Sequence, residues 1–183
     1  LLGAYGHDDR VCAYAALQAL FDLKETPEHT AVCVLADKEE IGSDGVTGMQ
    51  SAAFDTFMED LCAAQDVPLR VCYETSFCLS ADVTAAYDPN FARASEPKNS
   101  AYRGRGVCFN KYTGSRGKSG SNGANAEYCG RLRTIMVDAG VNFQTAELGK
   151  VDQGGGGTIA YICAAYGMEV IDSGVAVLSM HAP

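Results

Sequence analysis

Apolar runs with strand composition alternate along this chain with segments whose apolar residues recur at helical spacing. Such alternation is typical of a sheet with helices packed on both of its faces. We therefore predict an α/β fold with three layers, α/β/α, and find no internal repeat. The predicted helices cover 9–23, 47–64, 124–139 and 158–166, and the predicted strands lie at 30–36, within 70–80, at 106–112, at 141–147 and within 169–179.

Length, charge and cysteine content narrow the class of protein. At 183 residues the chain can bury one substantial core and fits one domain or a large part of one. A net charge of −9 argues against a nucleic-acid or anionic-membrane partner, and no apolar run is long enough to span a membrane. The eight cysteines include no C-x-x-C pair, and several lie in apolar segments, which predicts mostly reduced, buried thiols. These features favour a cytoplasmic protein.

Four polar clusters follow apolar runs, at the places where strands are predicted to end. They are HDDR at 7–10, DKEE at 37–40, SAD at 80–82 and SMH at 179–181. Taken singly, each cluster is better explained by a helix cap, a solvated turn or a surface residue. Four such clusters together favour a shared site, because strand ends of an α/β sheet meet at a crevice that accommodates ligands.

The composition of these clusters indicates a metal site. Carboxylates gathered at one edge of a sheet repel one another unless a positive charge lies between them. Asp, Glu and His without cysteine suit catalytic zinc, cobalt or manganese rather than a structural zinc site. After the strand predicted at 30–36, Glu39 and Glu40 are expected to point to different sides of the backbone. One can then bind metal while the other acts as a general base.

Six segments, in order over essentially the whole chain, carry a family resemblance. They are GAYGHDDRVCAY, VLADKEEIGSDGVTGMQS, LSADVTAAYDPN, KYTGSRGKSGSNGANAEY, GKVDQGGGGTIA and GVAVLSMHAP. Together they resemble the aspartyl aminopeptidase family of dinuclear zinc exopeptidases, particularly its bacterial members. The resemblance implies a zinc-exopeptidase fold with a mixed central sheet. It also implies hydrolysis of the N-terminal peptide bond of peptides, with a preference for acidic N-terminal residues.

The resemblance also implies a metal-binding set. Asp8 would bridge two zinc ions, with Asp82 completing the first zinc site. Glu40 and His181 would hold the second zinc, and Co²⁺ or Mn²⁺ are alternative metals. Asp9 would orient Asp8, to which related enzymes often join it by a cis peptide bond.

The catalytic base and one missing ligand follow from the same resemblance. Glu39 would be the general base that deprotonates the attacking water. The family's first zinc also takes a histidine from a segment well upstream, whereas the histidines here are His7, His29 and His181. His7 is expected to support Asp8 rather than to bind metal. We therefore expect residues 1–183 to be a partial metallopeptidase catalytic domain. The N-terminal portion and an inserted dimerisation domain would be missing, and the complete enzyme would be a homo-oligomer.

Two glycine-rich segments are candidates for contacting the peptide substrate. The segment GSRGKS at 114–119 follows Tyr112, where a P-loop would require glycine, and this excludes a nucleotide site. The segment 114–119 could instead be a flexible loop, and the second segment, GGGG at 154–157, could be a plain linker. Lys111 is the first candidate substrate contact, because its ammonium can pair with a carboxylate. Relatives place further substrate contacts at the positions of Gly155, Gly156 and Thr158. Arg116 and Lys118 are weaker candidates.

Two other classes of function remain open at this point. A glycosidase-like enzyme would use paired carboxylates without a metal, although the histidine that follows the last strand argues against it. A non-catalytic folding or assembly unit is the second alternative, and the missing ligand favours it for the chain on its own. Metal content distinguishes these functions.

Overall fold

The computed structural model describes residues 2–115, 119–150, 152–153 and 155–182. No helix among these residues is both long and apolar enough to cross a membrane. Short 3-10 turns lie at Glu39–Ile41 and Pro89–Ala94. The helices are α1 (His7–Phe21), α2 (Ala52–Ala63), α3 (Leu69–Thr75), α4 (Ala126–Asp138) and α5 (Ala160–Ala165). The strands are β1 (Phe77–Ala81), β2 (Thr84–Ala85), β3 (Val107–Asn110), β4 (Tyr112–Ser115), β5 (Ser119–Gly123), β6 (Phe143–Ala146), β7 (Glu169–Gly174) and β8 (Ala176–Val177).

The central sheet is mixed, with four strands in the order β1-β7-β3-β6. β7 pairs in parallel with β1 and antiparallel with β3, and β3 pairs in parallel with β6. Two smaller sheets accompany it, the parallel pair β2–β8 and the antiparallel hairpin β4–β5. The predicted mixed sheet is therefore confirmed.

Helices cover both faces of this sheet. Neighbouring residues of β7 point to opposite sides, so apolar residues of this strand pack against helices on each face. Val170 packs in one buried cluster with Ala160 of α5. Ile171 packs in another cluster with Phe109 of β3 and Tyr128 of α4. The strand thus separates α5 from α4, which gives the predicted three layers.

The segment 30–36 is not a strand, so this prediction is wrong. Beyond it, the backbone of Asp37 forms an isolated β-bridge with Gly48. The side chains of the segment are not buried either, since Val32 and Leu35 are 42% and 58% exposed. A β-branched run becomes a buried strand only where neighbouring strands accept its backbone hydrogen bonds, and the described part of the chain supplies no such partner.

Several element bounds also differ from the prediction. The helix predicted at 47–64 begins later, because Ser51 caps it by accepting a hydrogen bond from the Ala53 amide at 3.2 Å. The range 70–80 contains most of α3 before β1 begins. The helix predicted at 158–166 is reduced to α5. The glycine- and serine-rich loop predicted after β3 forms the β4–β5 hairpin, whose Arg116 and Lys118 lie outside the described residues.

Gly174 ends β7 at a close approach to the backbone of Asp82. The Asp82 amide donates to the Ser173 carbonyl at 3.2 Å, which holds the two chains together. A Cβ atom on Gly174 would lie 1.7 Å from the Asp82 carbonyl oxygen and 3.1 Å from Cys12 Sγ. The first contact is with backbone, so a side-chain rotation cannot relieve it. Glycine at this position therefore allows Asp82 to sit beside β7.

We expect Gly174→Ala to displace Asp82 and lower the free energy of unfolding by about 1–3 kcal/mol, as overpacking of a buried site does. Denaturant unfolding measures the change. Gly130→Ala is the matched control, because a Cβ atom there meets nothing within 4 Å and alanine favours the surrounding helix α4. Equal unfolding midpoints for the two variants would contradict the steric argument.

Candidate metal centre

Asp8 and Asp9 lie at the start of α1, where the backbone is not helical. Their φ/ψ angles are −82°/112° and −117°/35°, and the peptide bond between them is cis. Regular helix therefore begins after Asp9. This geometry leaves both carboxylates within reach of Asp82, which follows the last residue of β1.

Glu39 and Glu40 lie in a 3-10 turn rather than at the end of a strand. The turn is entered through Lys38 at φ 67° and left through Gly42 at φ 88°. With about three residues per turn, neighbouring side chains diverge by about 120°. The Glu40 side chain is 60% exposed and contacts His181, whereas Glu39 is half-buried. The two glutamates therefore differ in burial, and the predicted location at the end of an extended strand is wrong.

Asp8 is shared by two overlapping groups of metal-ligating side chains. The ligating atoms of Asp8, Glu40 and His181 lie within 4.8 Å of one another, and so do those of Asp8, Asp9 and Asp82. His181 Nε2 is 3.2 Å from both Asp8 Oδ2 and Glu40 Oε1. The four ligands predicted from the sequence are thus brought together around one side chain, with Asp9 as a fifth member.

Burial and mutual repulsion raise the pKa values of Asp82, Glu39 and Asp9. Burial, followed by the charges of Asp9, Glu39 and Asp8, raises the pKa of Asp82 to about 8. Burial is also the largest cause of the raised pKa values of Glu39 and Asp9. Asp9 Oδ1 is buried and has no hydrogen-bond partner within the described ranges. A bound cation would relieve this repulsion.

The donor atoms fit zinc. One group combines two carboxylates with an imidazole and contains no thiolate, which is the ligand type of catalytic zinc sites. The other group offers only carboxylate oxygens. Neither group contains His7 or His29. The second group therefore has a weaker donor set for zinc than the first.

The raised pKa values predict that the metal-free chain is less stable at about pH 8 than at about pH 5.5. An acid whose pKa is higher in the folded state binds more protons when folded, so stability falls as pH rises between the two pKa values. For Asp82 this window runs from the ordinary 3.8 to about 8. Thermal unfolding with a chelator tests the trend, and Asp82→Asn should flatten it. A midpoint that rises with pH over this range would contradict the prediction.

Lys111 lies in a cavity on the α4 side of the sheet. The cavity has a volume of about 320 Å³, and Glu147, Lys98 and Phe109 also line it. Burial raises the pKa of Glu147 to about 7, while the Lys111 ammonium opposes this shift. None of the carboxylates that surround Asp8 lines this cavity. The structure therefore places Lys111 beside Glu147, in a cavity that none of the candidate ligands lines.

The other candidate substrate contacts precede α5. Gly155 has φ 109°, a conformation that favours glycine. The Gly156 carbonyl accepts a hydrogen bond from the Gly114 amide at 3.2 Å, which joins this segment to the β4–β5 hairpin. Thr158 is 4% exposed, and its Oγ1 accepts from the Ala160 amide at 3.3 Å. Gly154 lies outside the described residues.

Asp172 was not predicted from the sequence. This residue lies within β7 and is 1% exposed, and burial raises its pKa to about 6. Its charge adds to the causes that raise the pKa of Asp82. The available signal was an aspartate inside the strand EVIDSG, where an apolar residue is expected.

Comparisons with known proteins identify relatives of this chain. The model of the family described as aminopeptidase I zinc metalloprotease (M18) matches residues 1–183. The probable M18 family aminopeptidase 1 of Clostridium acetobutylicum is 57% identical over 183 residues, covering 98% of this chain and 39% of the relative. The crystal structure of an M18 aminopeptidase from Thermotoga maritima has a TM-score of 0.90 at 43% identity, covering 98% of this chain and 41% of that chain. The structure of the S. cerevisiae mApe1 dodecamer has a TM-score of 0.76 at 25% identity, covering 100% of this chain and 42% of that chain.

These matches cover nearly all of the chain but only about two fifths of the curated relatives. The covered share is 39% of the Clostridium acetobutylicum protein and 41% of a 43% identical relative from Borrelia garinii. The family resemblance of the six sequence segments and the zinc-exopeptidase fold class are confirmed. The chain belongs to the aminopeptidase I zinc metalloprotease (M18) family.

Proposed function

We propose that these residues form part of the active site of a zinc aminopeptidase, which hydrolyses the N-terminal peptide bond of peptides and prefers acidic N-terminal residues. The observation that carries the proposal is the sharing of Asp8 by two groups of ligating side chains. Family membership supports zinc as the metal. A glycosidase-like mechanism without a metal is not supported by either observation.

Each protein side chain then has a defined task. Asp8, Glu40 and His181 would hold one zinc ion, and Asp8 with Asp82 would hold another, with Co²⁺ or Mn²⁺ as alternatives. Bound zinc supplies Lewis acidity that polarises a carbonyl oxygen and acidifies water. Asp9, whose ligating oxygen lies within 4.8 Å of that of Asp8, would orient the Asp8 carboxylate.

Glu39 is the proposed general base. Its half-buried carboxylate lies near the cluster but belongs to neither ligand group. Burial and the charges of Glu40 and Asp8 raise the pKa of Glu39, which increases its tendency to accept a proton. Glu39 would take a proton from the attacking water and deliver it to the leaving amine.

Substrate binding is proposed to involve Lys111 and the segment that precedes α5. The backbone at Gly155 and Gly156 and the side chain of Thr158 would contact the peptide. Thr158 belongs to a segment joined to the β4–β5 hairpin, and the hairpin directly follows Lys111 along the chain. The Lys111 ammonium would attract an acidic side chain of the substrate.

Lys111→Met tests this specificity in an active aminopeptidase that contains these residues. We expect kcat/KM to fall about tenfold for aspartyl substrates and to change little for leucyl substrates, because only the former offer a carboxylate to the ammonium. Lys24→Met, in an exposed segment after α1, is the control. Equal losses on both substrates would show that Lys111 has a structural or general role.

We further propose that residues 1–183 are part of the catalytic domain of a cytoplasmic homo-oligomer. The share of the relatives that the chain covers and the dodecameric relative support this proposal. Eight free cysteines suit a reducing compartment. The second candidate function is that the 183-residue chain alone is a non-catalytic fragment or assembly unit. The ligand group made only of carboxylates, Asp8, Asp9 and Asp82, favours this alternative.

A further inference from the structure

Asn110 is a buried side-chain amide on a central strand of the sheet. It is the last residue of β3, which pairs with β7 on one side and β6 on the other, and it is 2% exposed. A buried amide costs free energy unless its polar atoms are hydrogen-bonded. The Cys108 thiol donates to Asn110 Oδ1 at 3.6 Å, and Asn110 Nδ2 donates to Thr84 Oγ1 at 3.1 Å. Both polar atoms of the amide are therefore engaged.

The second of these bonds reaches a different sheet. Thr84 is completely buried and lies in β2, a strand of two residues that pairs with β8 outside the central sheet. The Thr84 backbone amide donates to the Val175 carbonyl at 3.0 Å. Thr84 is thus held in two ways, through its backbone by the chain that follows β7 and through its hydroxyl by β3. The Asn110 amide thereby joins the short strand β2 to the central sheet.

The segment held in this way leads directly to Asp82, one of the candidate zinc ligands. Val83 is the one residue between Asp82 and Thr84, and it is 3% exposed. The Asp82 amide donates to the Ser173 carbonyl at 3.2 Å, so the backbone runs along the same neighbour at both positions. Because the intervening residue is buried, a displacement of Thr84 would also displace the Asp82 backbone and its carboxylate.

We infer that Asn110 is a positioning residue, whose side-chain amide anchors Thr84 and thereby fixes the backbone that carries Asp82. A buried apolar side chain would fill the same space, but apolar packing has no direction, whereas a hydrogen bond does. The consequence for the metal rests on the proposed function, because it takes Asp82 as a zinc ligand. The anchoring itself rests on the hydrogen bonds of the chain alone.

Asn110→Leu tests the anchoring in the metal-free 183-residue chain, because leucine has the same branching but no polar atom. We expect amide hydrogen exchange at Asp82 and Thr84 to become about tenfold faster, since the loss of one buried hydrogen bond loosens this segment locally. The Glu169 amide, which donates to the Ser76 carbonyl at 3.1 Å at the start of β7, is the control and should exchange at an unchanged rate. An equal increase at Glu169 would indicate general destabilisation and overturn the inference.

A matched pair at Thr84 keeps the test valid if Asn110→Leu fails to fold. Thr84→Val removes the hydroxyl at almost constant shape and should speed exchange at Asp82, whereas Thr84→Ser retains the hydroxyl and should not. Equal exchange at Asp82 in the two variants, or unchanged exchange in Asn110→Leu, would overturn the inference.

Zinc titration of an active aminopeptidase that contains these residues tests the consequence for the metal. Asn110→Leu and Thr84→Val should weaken the zinc ion held with Asp82 by about tenfold, as the loss of a residue that orients a ligand does. Thr84→Ser should not, and the zinc ion held with Glu40 and His181 should be unaffected in all three variants. Faster exchange at Asp82 with unchanged zinc affinity would count against Asp82 as a ligand, and hence against the proposed function, and would leave the anchoring by Asn110 standing.

Discussion

Replacing Glu39 by glutamine is expected to lower kcat by about 10² to 10⁴-fold in an active aminopeptidase that contains these residues. Glutamine matches glutamate in shape but cannot accept the proton of the attacking water. Glu39 belongs to neither ligand group, so the variant should retain its zinc. Steady-state kinetics and metal analysis on the same preparation measure both effects.

The neighbouring residue provides a matched control. Glu40 contacts His181 at 3.2 Å and belongs to a ligand group, so Glu40→Gln should weaken zinc binding as well as activity. The two variants differ by one position and should therefore show different phenotypes. Near-normal kcat in Glu39→Gln would mean that another group takes the proton. Zinc loss in Glu39→Gln would place this residue among the ligands.

The 183-residue chain on its own is expected to show no aminopeptidase turnover above background. One ligand group consists of Asp8, Asp9 and Asp82 and has no imidazole. Carboxylates alone bind zinc less well than a set that includes histidine, so this group should stay largely without zinc at micromolar metal concentrations. An active site with a single zinc would then lack half of the proposed Lewis acidity.

Assays on aspartyl and leucyl peptides with added zinc test this expectation, with the intact Thermotoga maritima relative as the positive control. Turnover comparable to that relative would contradict it. Such activity would mean that His7 or another donor completes the second group. The His7→Ala variant would then identify or exclude that histidine.

The layered fold was predictable because sequence periodicity encodes side-chain direction. Val170 and Ile171 are adjacent apolar residues of β7, and the structure packs them against helices on opposite faces. The segment 30–36 has strand composition but no strand partner among the described residues. Strand formation depends on neighbours in space, which a local pattern does not specify.

The candidate site was predictable in its members but only partly in its geometry. Asp8 and His181 followed from the family resemblance and from the polar clusters after apolar runs. The 3-10 turn that separates Glu39 from Glu40 did not, because it depends on the left-handed backbone of Lys38. The buried Asp172 also escaped prediction, because its burial depends on the strands β1 and β3 that pair with β7 on either side.

Zinc titration of the 183-residue chain, compared with its Asp8→Asn variant, tests the central claim most directly, because Asp8 is the only side chain common to both ligand groups. We predict about one tightly bound zinc ion per chain, held by Asp8, Glu40 and His181. Asp8→Asn should weaken this binding by about a hundredfold or more, and His181→Ala should do the same. Equal zinc affinity in the wild-type chain and Asp8→Asn would contradict the assignment of a shared metal centre around Asp8.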